Sequence, residues 1–334
     1  MRASVTVRVP GSTSNLGAGF DCVGVAVARW LRVTARAAPP TTTSGRRPAA
    51  PGKQVTIERR GTLTSLSMAP EHDLVYRGFV AACSAAQREA PPGLFLTAES
   101  DIPVARGLGS SAAAVVAGAV AATALLQLDL AKDALAALCA ELEGHPDNVA
   151  PSIYGGANLV LREPEGSGGG AGGRRSLSVT PLIIHESLAL VFAVPTFVLE
   201  TERARAVLPR TVLHARAVEA AARSAALVHG LAHADAVLLA AGLDDVLHVP
   251  YRRSLVRHYD VVVTAARGAG AFGATLSGSG SAIVAVAPVE RAAAVEQAMA
   301  RAWQEQGVAA ETFGVARRVG GYETTPQDIS SRRS

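Results

Sequence analysis

The chain has few of the residues that mark disulfide-rich, zinc-binding or nucleic-acid-binding proteins. Its 334 residues include only 3 cysteines, Cys22, Cys83 and Cys139, which are far apart and odd in number. They fit neither a disulfide framework nor a CxxC metal site, and therefore indicate a reducing compartment. Only Lys53 and Lys132 are lysines, and the arginines are scattered without interleaved aromatic residues. With a net charge of +4, this pattern argues against a nucleic-acid partner.

Long apolar segments are also missing. The nearest approach to a membrane span is "AAAVVAGAVAATALL" at 112–126, which is shorter than the roughly 18 residues a span needs and is dominated by alanine. The first 15 residues, "MRASVTVRVPGSTSN", alternate polar and apolar side chains and lack the apolar core of a signal peptide. We therefore expect a cytoplasmic protein with no membrane segment, in which 112–126 is a buried helix.

What the chain does contain is typical of a folded α+β enzyme. Hydrophobic residues make up 49% and charged residues 18%, whereas aromatic residues are only 4%, so aliphatic side chains must build the cores. Alternation and helical periodicity predict strands at 4–9, 23–37, 54–61, 93–100 and 187–195, and helices at 73–88, 110–128, 131–143, 210–242 and 289–306.

Two low-complexity segments interrupt these elements, at 38–53 and 163–176. The length favours two domains, which we place at 1–162 and 177–322. The segment 163–176 is then a linker, and 323–334 is a polar tail.

The stretch "PVARGLGSSAAAVVAG" at 103–118 carries the first candidate site. Gly107 and Gly109 permit backbone angles closed to other residues, and Ser110 and Ser111 stand where an apolar helix begins. Backbone N–H groups at a helix start can bind phosphate without lysine, and a serine hydroxyl there can ligate Mg²⁺. The Walker A pattern is absent. The alternative is a simple turn in which the serines cap a core helix.

Three further polar segments could contribute to a site. "VPGSTSNLGAGFDCVGVAV" at 9–27 places a polar loop between two strands, "ELEGHPDNVAPSIYGG" at 141–156 follows a helix with several acidic groups, and "GATLSGSGSAIVAV" at 273–286 is a glycine-rich turn before a strand. Each has a purely structural alternative: loop capping, a charged helix end or a tight turn. The oxygen groups of the second segment suit Mg²⁺ better than zinc.

Together, and in their order along the chain, these four segments resemble those of the GHMP kinases. The stretch "PVARGLGSSAA" is similar to the PxxxGLGSSAA phosphate loop of that superfamily, and "GATLSGSGSAIVAV" to its C-terminal glycine motif. Within the superfamily, "SNLGAGFDCVGVAV", "EGHPDNVAPSIYGG", "AVPTFVLETERARAVLP" and "HVPYRRSL" resemble the homoserine kinase family. The resemblance spans residues 4 to 290. One departure is Asp73, which stands where the family has asparagine near the nucleotide base.

The resemblance implies an α+β fold of two domains. The N-terminal, ATP-binding domain is expected to be like domain 2 of ribosomal protein S5, and the C-terminal domain to be ferredoxin-like. Homodimers are common in the family, so a homodimer is also expected.

The resemblance further implies a reaction and its residues. ATP would phosphorylate the hydroxyl of L-homoserine with Mg²⁺ as cofactor, in threonine biosynthesis. The phosphate loop that would bind ATP comprises Pro103, Val104, Ala105, Arg106, Gly107, Leu108, Gly109, Ser110, Ser111, Ala112 and Ala113. The residues that would bind the substrate are Asn15, Asp21, His145, Asn148, Thr201, Arg205, Arg252 and Gly278.

Asp21, Ser111 and Glu141 are the expected catalytic residues. Ser111 and Glu141 would hold Mg²⁺, with Glu143 as a rival to Glu141. Asp21 is assigned to binding and orientation first, and a role as general base stays open, because an aspartate with an ordinary pKa of about 3.9 is a poor base for an alcohol.

Two alternative functions remain at this point. One is another GHMP kinase, acting on mevalonate or a sugar. The other is a catalytically silent relative that binds ATP or an amino acid.

Overall fold

The computed structural model describes residues 2–37, 54–162 and 177–327. In chain order its strands are β1 Ser4–Asn15, β2 Gly19–Ala37, β3 Gln54–Gly61, β4 Gly93–Ser100, β5 Ala157–Arg162, β6 Leu177–Leu182, β7 Leu188–Pro195, β8 Gly273–Leu276, β9 Ile283–Pro288, β10 Ala310–Val315 and β11 Glu323–Gln327. Its α-helices are α1 Leu74–Ala85, α2 Ser110–Leu126, α3 Lys132–Glu143, α4 Val149–Tyr154, α5 Thr201–Ala206, α6 His214–His233, α7 Ala236–Leu243, α8 Val249–Arg252, α9 Tyr259–Gly268 and α10 Ala292–Glu305. Nine of the ten predicted strands and helices are confirmed, with differences at their ends, and the helix predicted at 210–242 is two helices, α6 and α7, separated at Ala234 and Asp235.

The first sheet has seven strands and is built around β2. Its main order is β11-β1-β2-β4-β3, in which only the β3–β4 pair is parallel, and β5 pairs with β2 and with β6. The 19 residues of β2 allow this branching, because its early part pairs with β5 and its later part with β4.

Helix α2 explains the alanine-rich stretch of the sequence. Twelve of its 17 residues are buried, and it lies against α1, β1 and β2. Gly78 and Gly118 allow the two helices to approach closely: an added Cβ would lie 2.2 Å from the carbonyl oxygen of Val115 and 1.9 Å from that of Val75, respectively. In the described part of the chain no helix has both the length and the hydropathy to cross a bilayer.

The second sheet has four antiparallel strands in the order β10-β7-β9-β8. Alternation along β7 separates its two faces. Val191 and Ala193 belong to a core shared with α9 and α10, whereas Leu190 and Phe192 belong to the larger core that includes residues of α6 and α7. The sheet is therefore covered on both faces.

The expected domain limits differ from the sheets observed. Strand β6 pairs with β5, and β11 pairs with β1, so both belong to the first sheet although they follow residue 176. The tail expected at 323–334 thus begins with an edge strand. Its sequence hides this because all side chains from 323 to 326 are exposed and show no apolar alternation. The segments 38–53 and 163–176 lie outside the described residues.

Candidate active site

The candidate site is a cleft where the phosphate loop, the end of β1, the turn after α3, and helices α5 and α8 meet. It is lined by Ser14, Asn15, Asp21, Ala105, Arg106, Gly107, Leu108, Gly109, Ser110, Ser111, Glu143, His145, Asp147, Asn148, Thr201, Arg205, Arg252, Gly278 and Ser279. Five predicted residues are absent from this lining: Pro103, Val104, Ala112, Ala113 and Glu141. The sequence analysis did not select four that line it: Ser14, Asp147, Ser279 and, except as a rival, Glu143.

The phosphate loop requires its glycines for two reasons. Gly107 and Gly109 have φ angles of 76° and 67°, which disfavour other residues. An added Cβ on Gly109 would lie 2.1 Å from Ser12 Oγ, and one on Gly107 would lie 2.0 Å from the carbonyl oxygen of Ser277. The loop is therefore held between β1 and the turn that follows β8.

Helix α2 begins in this loop without a side-chain cap. Gly109, which has no side chain, is its N-cap residue, so within the described residues the helix start has no side-chain cap. The alternative in which Ser110 and Ser111 cap the helix is therefore wrong, although the helix itself is a core helix. Because uncapped N–H groups at a helix start carry partial positive charge, this end of the cleft suits an anion.

The side chain of Arg106 ties the phosphate loop to the second sheet. Its Nε donates to the carbonyl oxygen of Pro195 at 2.8 Å, and its Nη1 to that of Val104 at 2.9 Å. Its Nη2 donates to the carbonyl oxygen of Thr196. The guanidinium group thus donates to three backbone carbonyls.

Ser111 and Glu143 meet across the cleft wall. The Ser111 hydroxyl donates to the Glu143 carboxylate, which sits on the last residue of α3. Burial raises the pKa of Glu143, and the hydrogen bond from Ser111 partly opposes this shift. Glu141 is exposed and does not line the cleft, since residues two apart on a helix point about 200° apart. The structure thus brings Glu143, the rival, and not Glu141 beside Ser111, and the identity of the magnesium ligand stays a prediction.

His145 and Asp147 form a buried pair next to Glu143. His145 Nδ1 lies 2.9 Å from Asp147 Oδ1, and His145 Nε2 lies 3.8 Å from Glu143 Oε1. Burial alone would lower the pKa of His145, but the hydrogen bond to Asp147 and the negative charges of Asp147 and Glu143 together outweigh this, and the pKa is raised. Burial raises the pKa of Asp147, but the contacts with His145, the hydrogen bond with Ser14 and the charge of Arg205 together outweigh burial, and the pKa is lowered. The pair therefore favours a charged imidazolium beside the cleft.

Asn148 and Asn15 hold the end of β1 in place. Asn148 Oδ1 accepts from Ser12 Oγ and its Nδ2 donates to Ser14 Oγ, both at 2.9 Å. Asn15 Nδ2 donates to the carbonyl oxygen of Gly278 at 2.9 Å. The segment expected as a polar loop after Pro10 is instead strand as far as Asn15, with irregular pairing after Pro10 and after Ser14.

Asp21 and Arg205 form an ion pair across the cleft. Arg205 Nη2 and Nη1 donate to the two carboxylate oxygens of Asp21 at 2.9 and 3.3 Å. Asn15 Oδ1 accepts from the backbone N–H of Asp21 at 3.0 Å, which orients the residue. Both charged side chains are more than a third exposed, so they remain accessible to a small molecule.

Thr201 and Arg252 complete the same end of the cleft. Thr201 Oγ1 lies 3.3 Å from Ser279 Oγ. Arg252 is only 2% exposed, and its Nε donates to the carbonyl oxygen of Ala204 at 3.0 Å. Burial and then the nearby charge of Arg205 lower the pKa of Arg252 to about 10, so it stays a cation at neutral pH.

Asp73, the departure from the family pattern, has a structural role outside this cleft. Its carboxylate caps α1 by accepting from the N–H of Val75 at 2.9 Å, and it pairs with Arg59 at 2.7 Å. Asparagine could also cap the helix but could not form the ion pair.

Comparisons with known proteins agree with this architecture. Residues 73–156 match the model of the GHMP kinases N terminal domain, and residues 221–305 match that of the GHMP kinases C terminal domain. A homoserine kinase of a Synechococcus species is 40% identical over 314 residues, which cover 93% of this chain and 95% of the relative. One of a Picosynechococcus species is 37% identical over 307 residues, covering 92% and 94%.

Solved structures extend the comparison to three dimensions. The homoserine kinase of Cytophaga hutchinsonii has a TM-score of 0.81 and 27% identity, with 97% of this chain and 98% of that chain covered. A mevalonate kinase of L. major, at 17% identity and a TM-score of 0.64, shares the fold, with 91% and 94% covered. The expected α+β GHMP kinase fold is confirmed, and the chain belongs to the homoserine kinase family of the GHMP kinases.

Proposed function

We propose that the protein transfers a phosphoryl group from ATP to the side-chain hydroxyl of L-homoserine, forming ADP and O-phospho-L-homoserine in threonine biosynthesis. One observation carries the proposal. In this member of the homoserine kinase family, one cleft is lined both by a glycine-rich phosphate loop and by side chains of opposite charge. The loop leads into the uncapped start of α2, which suits phosphate, and the charged side chains suit an amino acid.

The phosphates of ATP are assigned to the loop between Gly107 and Ser111. Phosphoryl transfer passes through a loose transition state, so catalysis depends mainly on positioning and on neutralising charge. The backbone N–H groups at the start of α2 supply positive potential without a lysine. The ties from Arg106 to the end of β7 hold this loop in place before ATP binds.

Ser111 and Glu143 fit a magnesium ion bound between the phosphates. Both present oxygen atoms to the cleft, and Mg²⁺ prefers oxygen ligands and often takes a single carboxylate beside nucleotide phosphates. The carboxylate of Glu143 is buried and its pKa is raised, so a bound cation would stabilise its charged form. When bound, Mg²⁺ would neutralise the negative charge of the phosphate oxygens.

The other end of the cleft fits a zwitterion. Arg205 and Arg252 are assigned to the substrate carboxylate, because a guanidinium group can bind a carboxylate through two hydrogen bonds. Asp21 is assigned to the substrate ammonium group. Thr201 and Ser279 present hydroxyl groups beside these charges.

Asp21 acts in this proposal as an orienting group rather than as a general base. Both of its carboxylate oxygens accept hydrogen bonds from Arg205, and in the complex they are assigned to the substrate ammonium group, so in either case they hold a positive charge in place. The hydroxyl is therefore activated by its position in line with the phosphoryl group.

Release of ADP in the presence of Mg-ATP tests the function. The protein is assayed with homoserine, threonine, serine, mevalonate and galactose as separate acceptors. Turnover with homoserine as the best acceptor is expected. Turnover only on mevalonate or galactose would overturn the homoserine assignment, and no turnover on any acceptor would favour the catalytically silent relative. The cytoplasmic location and the homodimer stay predictions.

A further inference from the structure

Arg252 lines the cleft, and two contacts hold its guanidinium group. Its Nε donates to the carbonyl oxygen of Ala204 at 3.0 Å, and its Nη1 lies 3.3 Å from His248 Nδ1. Among the described residues it forms no carboxylate ion pair within 4.0 Å, although it is only 2% exposed and lines the cleft. Its direction is therefore set by a carbonyl group and a histidine.

The contacts of His248 define which of its nitrogens carries the proton. Its Nε2 lies 3.1 Å from the carbonyl oxygen of Gly17, which can only accept. Nε2 must then be the donor, and in the neutral ring Nδ1 is an acceptor. Because arginine has only donors, Nη1 of Arg252 donates to Nδ1. The side chain of His248 is fully buried, so this arrangement excludes competing water.

The surroundings of His248 favour this neutral form. Phe20 stacks on the imidazole with ring centroids 4.8 Å apart, and its ring lies 5.2 Å from Cζ of Arg252. Arg252 contacts the ring, Asp245 lies 3.7 Å from it, and the charge of Asp21 also acts on it.

A second proton on the ring would oppose these contacts. Burial lowers the pKa of His248; Asp245 opposes this shift and the charge of Arg252 adds to it. Asp245 Oδ2 lies 3.7 Å from Nε2 but already accepts from three backbone N–H groups, at residues 247 to 249. A proton on Nδ1 would place an N–H group and a positive charge against a guanidinium.

We propose that neutral His248 is a positioning residue that orients Arg252 toward the carboxylate of the amino-acid substrate. It accepts one hydrogen bond from Arg252, and Gly17 fixes the ring so that Nδ1 faces the guanidinium. The role depends on the proposed function, because it is exerted on the carboxylate-binding residue.

Two variants each keep one hydrogen bond of His248 and lose the other. In His248→Asn the amide oxygen lies near the position of Nδ1 and can accept from Arg252, but the side chain is too short to reach Gly17. In His248→Gln the amide nitrogen lies near the position of Nε2 and can donate to Gly17, but no acceptor remains beside Arg252. Both lose the ring that stacks on Phe20, so the loss of stacking is matched.

The KM for homoserine is the discriminating measurement. His248→Gln is expected to raise this KM about tenfold, because one hydrogen bond to a charged group is lost. His248→Asn, which keeps that hydrogen bond, should raise it by less than about threefold. The KM for ATP should change by less than about twofold in both, since the phosphate loop does not contact His248. Equal increases in the homoserine KM, or a parallel rise in the ATP KM, would overturn the proposal.

The Arg252→Ala background supplies an independent test. If His248 acts through Arg252, His248→Gln should not raise the homoserine KM further in that background. A full additional increase would contradict the proposal. Should His248→Gln fail to fold, His248→Asn decides alone, with a tenfold rise as the contrary result. Wild-type turnover on homoserine, measured first, reports separately on the proposed function.

Discussion

Arg205 and Asp21 form a two-point ion pair, with N–O distances of 2.9 and 3.3 Å, between the start of β2 in the first sheet and helix α5 beside the second. A zwitterionic substrate offers each partner a new opposite charge: its carboxylate to Arg205 and its ammonium group to Asp21. Under the proposed function, each partner would exchange the other for a charge of the substrate, and neither charge would be left unpaired.

Replacing Arg205 should impair binding of the amino acid more than folding. We expect Arg205→Ala to raise the KM for homoserine by about tenfold or more, because a charge-assisted hydrogen bond is lost. The free energy of unfolding should change by less than about 1 kcal/mol, since the pair is more than a third exposed. Steady-state kinetics and urea unfolding measure both quantities.

Arg203→Ala is the matched control, because Arg203 lies on the same helix, is exposed and does not line the cleft. Its homoserine KM should equal that of the wild type. Equal increases in the KM values for homoserine and ATP in Arg205→Ala would contradict the role as carboxylate ligand.

Glu143, and not Glu141, should be required for the metal-dependent step. Glu143→Gln removes the charge that faces Ser111, and we expect kcat to fall by roughly 100-fold because transition-state charge is less well neutralised. Glu141→Gln should retain activity, since that side chain is exposed on another face of α3. ADP release at several Mg²⁺ concentrations compares the two. A greater loss of kcat in Glu141→Gln than in Glu143→Gln would assign the metal-dependent role to Glu141 instead.

The same substitution should make the protein more stable at neutral pH. Burial raises the pKa of Glu143, so the folded state holds this proton more tightly than the unfolded chain, and the group destabilises folding increasingly as pH rises above its ordinary value of 4.5. Removing the charge removes that cost, so the melting temperature of Glu143→Gln should exceed that of the wild type at pH 7. The difference should shrink toward pH 4. A constant difference across this range, or lower stability at pH 7, would exclude a buried destabilising carboxylate.

The phosphate loop should be sensitive to a single added methyl group. Gly109→Ala and Gly144→Ala both place alanine at a positive φ, 67° and 88°, which costs roughly 1 kcal/mol of stability each. Only at Gly109 would the new Cβ collide, at 2.1 Å from Ser12 Oγ, whereas nothing lies within 4 Å at Gly144. We expect the ATP KM to rise only in Gly109→Ala. Equal ATP KM values in the two variants would show that the loop tolerates displacement.

Local features of the fold could be predicted because they depend on neighbours in the chain. The helices at 74–85 and 132–143 follow from helical periodicity, and the start of α2 follows from glycines before an apolar run. Strands β6 and β11 were missed as parts of the first sheet, since edge strands need not alternate when their side chains are exposed.

The candidate site could be predicted as a set of residues more readily than as a set of roles. Asn148, expected to bind substrate, uses its amide to hold Ser12 and Ser14. Asp147 belongs to the cleft, and its position in the polar segment "EGHPDN", two residues after His145, indicated this. Hydrogen-bond partners of this kind depend on where separate segments meet, which a linear pattern does not encode.

The sequence by itself determined the local backbone and the chemical inventory: glycines where φ must be positive, a helix that begins at the phosphate loop, and the arginines and carboxylates available for a zwitterion. Only the tertiary structure decided which of these groups meet. Asp21 and Arg205 are 184 residues apart in the sequence. Ser111 contacts Glu143 and not Glu141, because only the face of α3 that carries Glu143 turns toward the cleft. Pairings over such distances are set by how the two sheets and their helices pack, because that packing alone brings remote side chains within hydrogen-bond range.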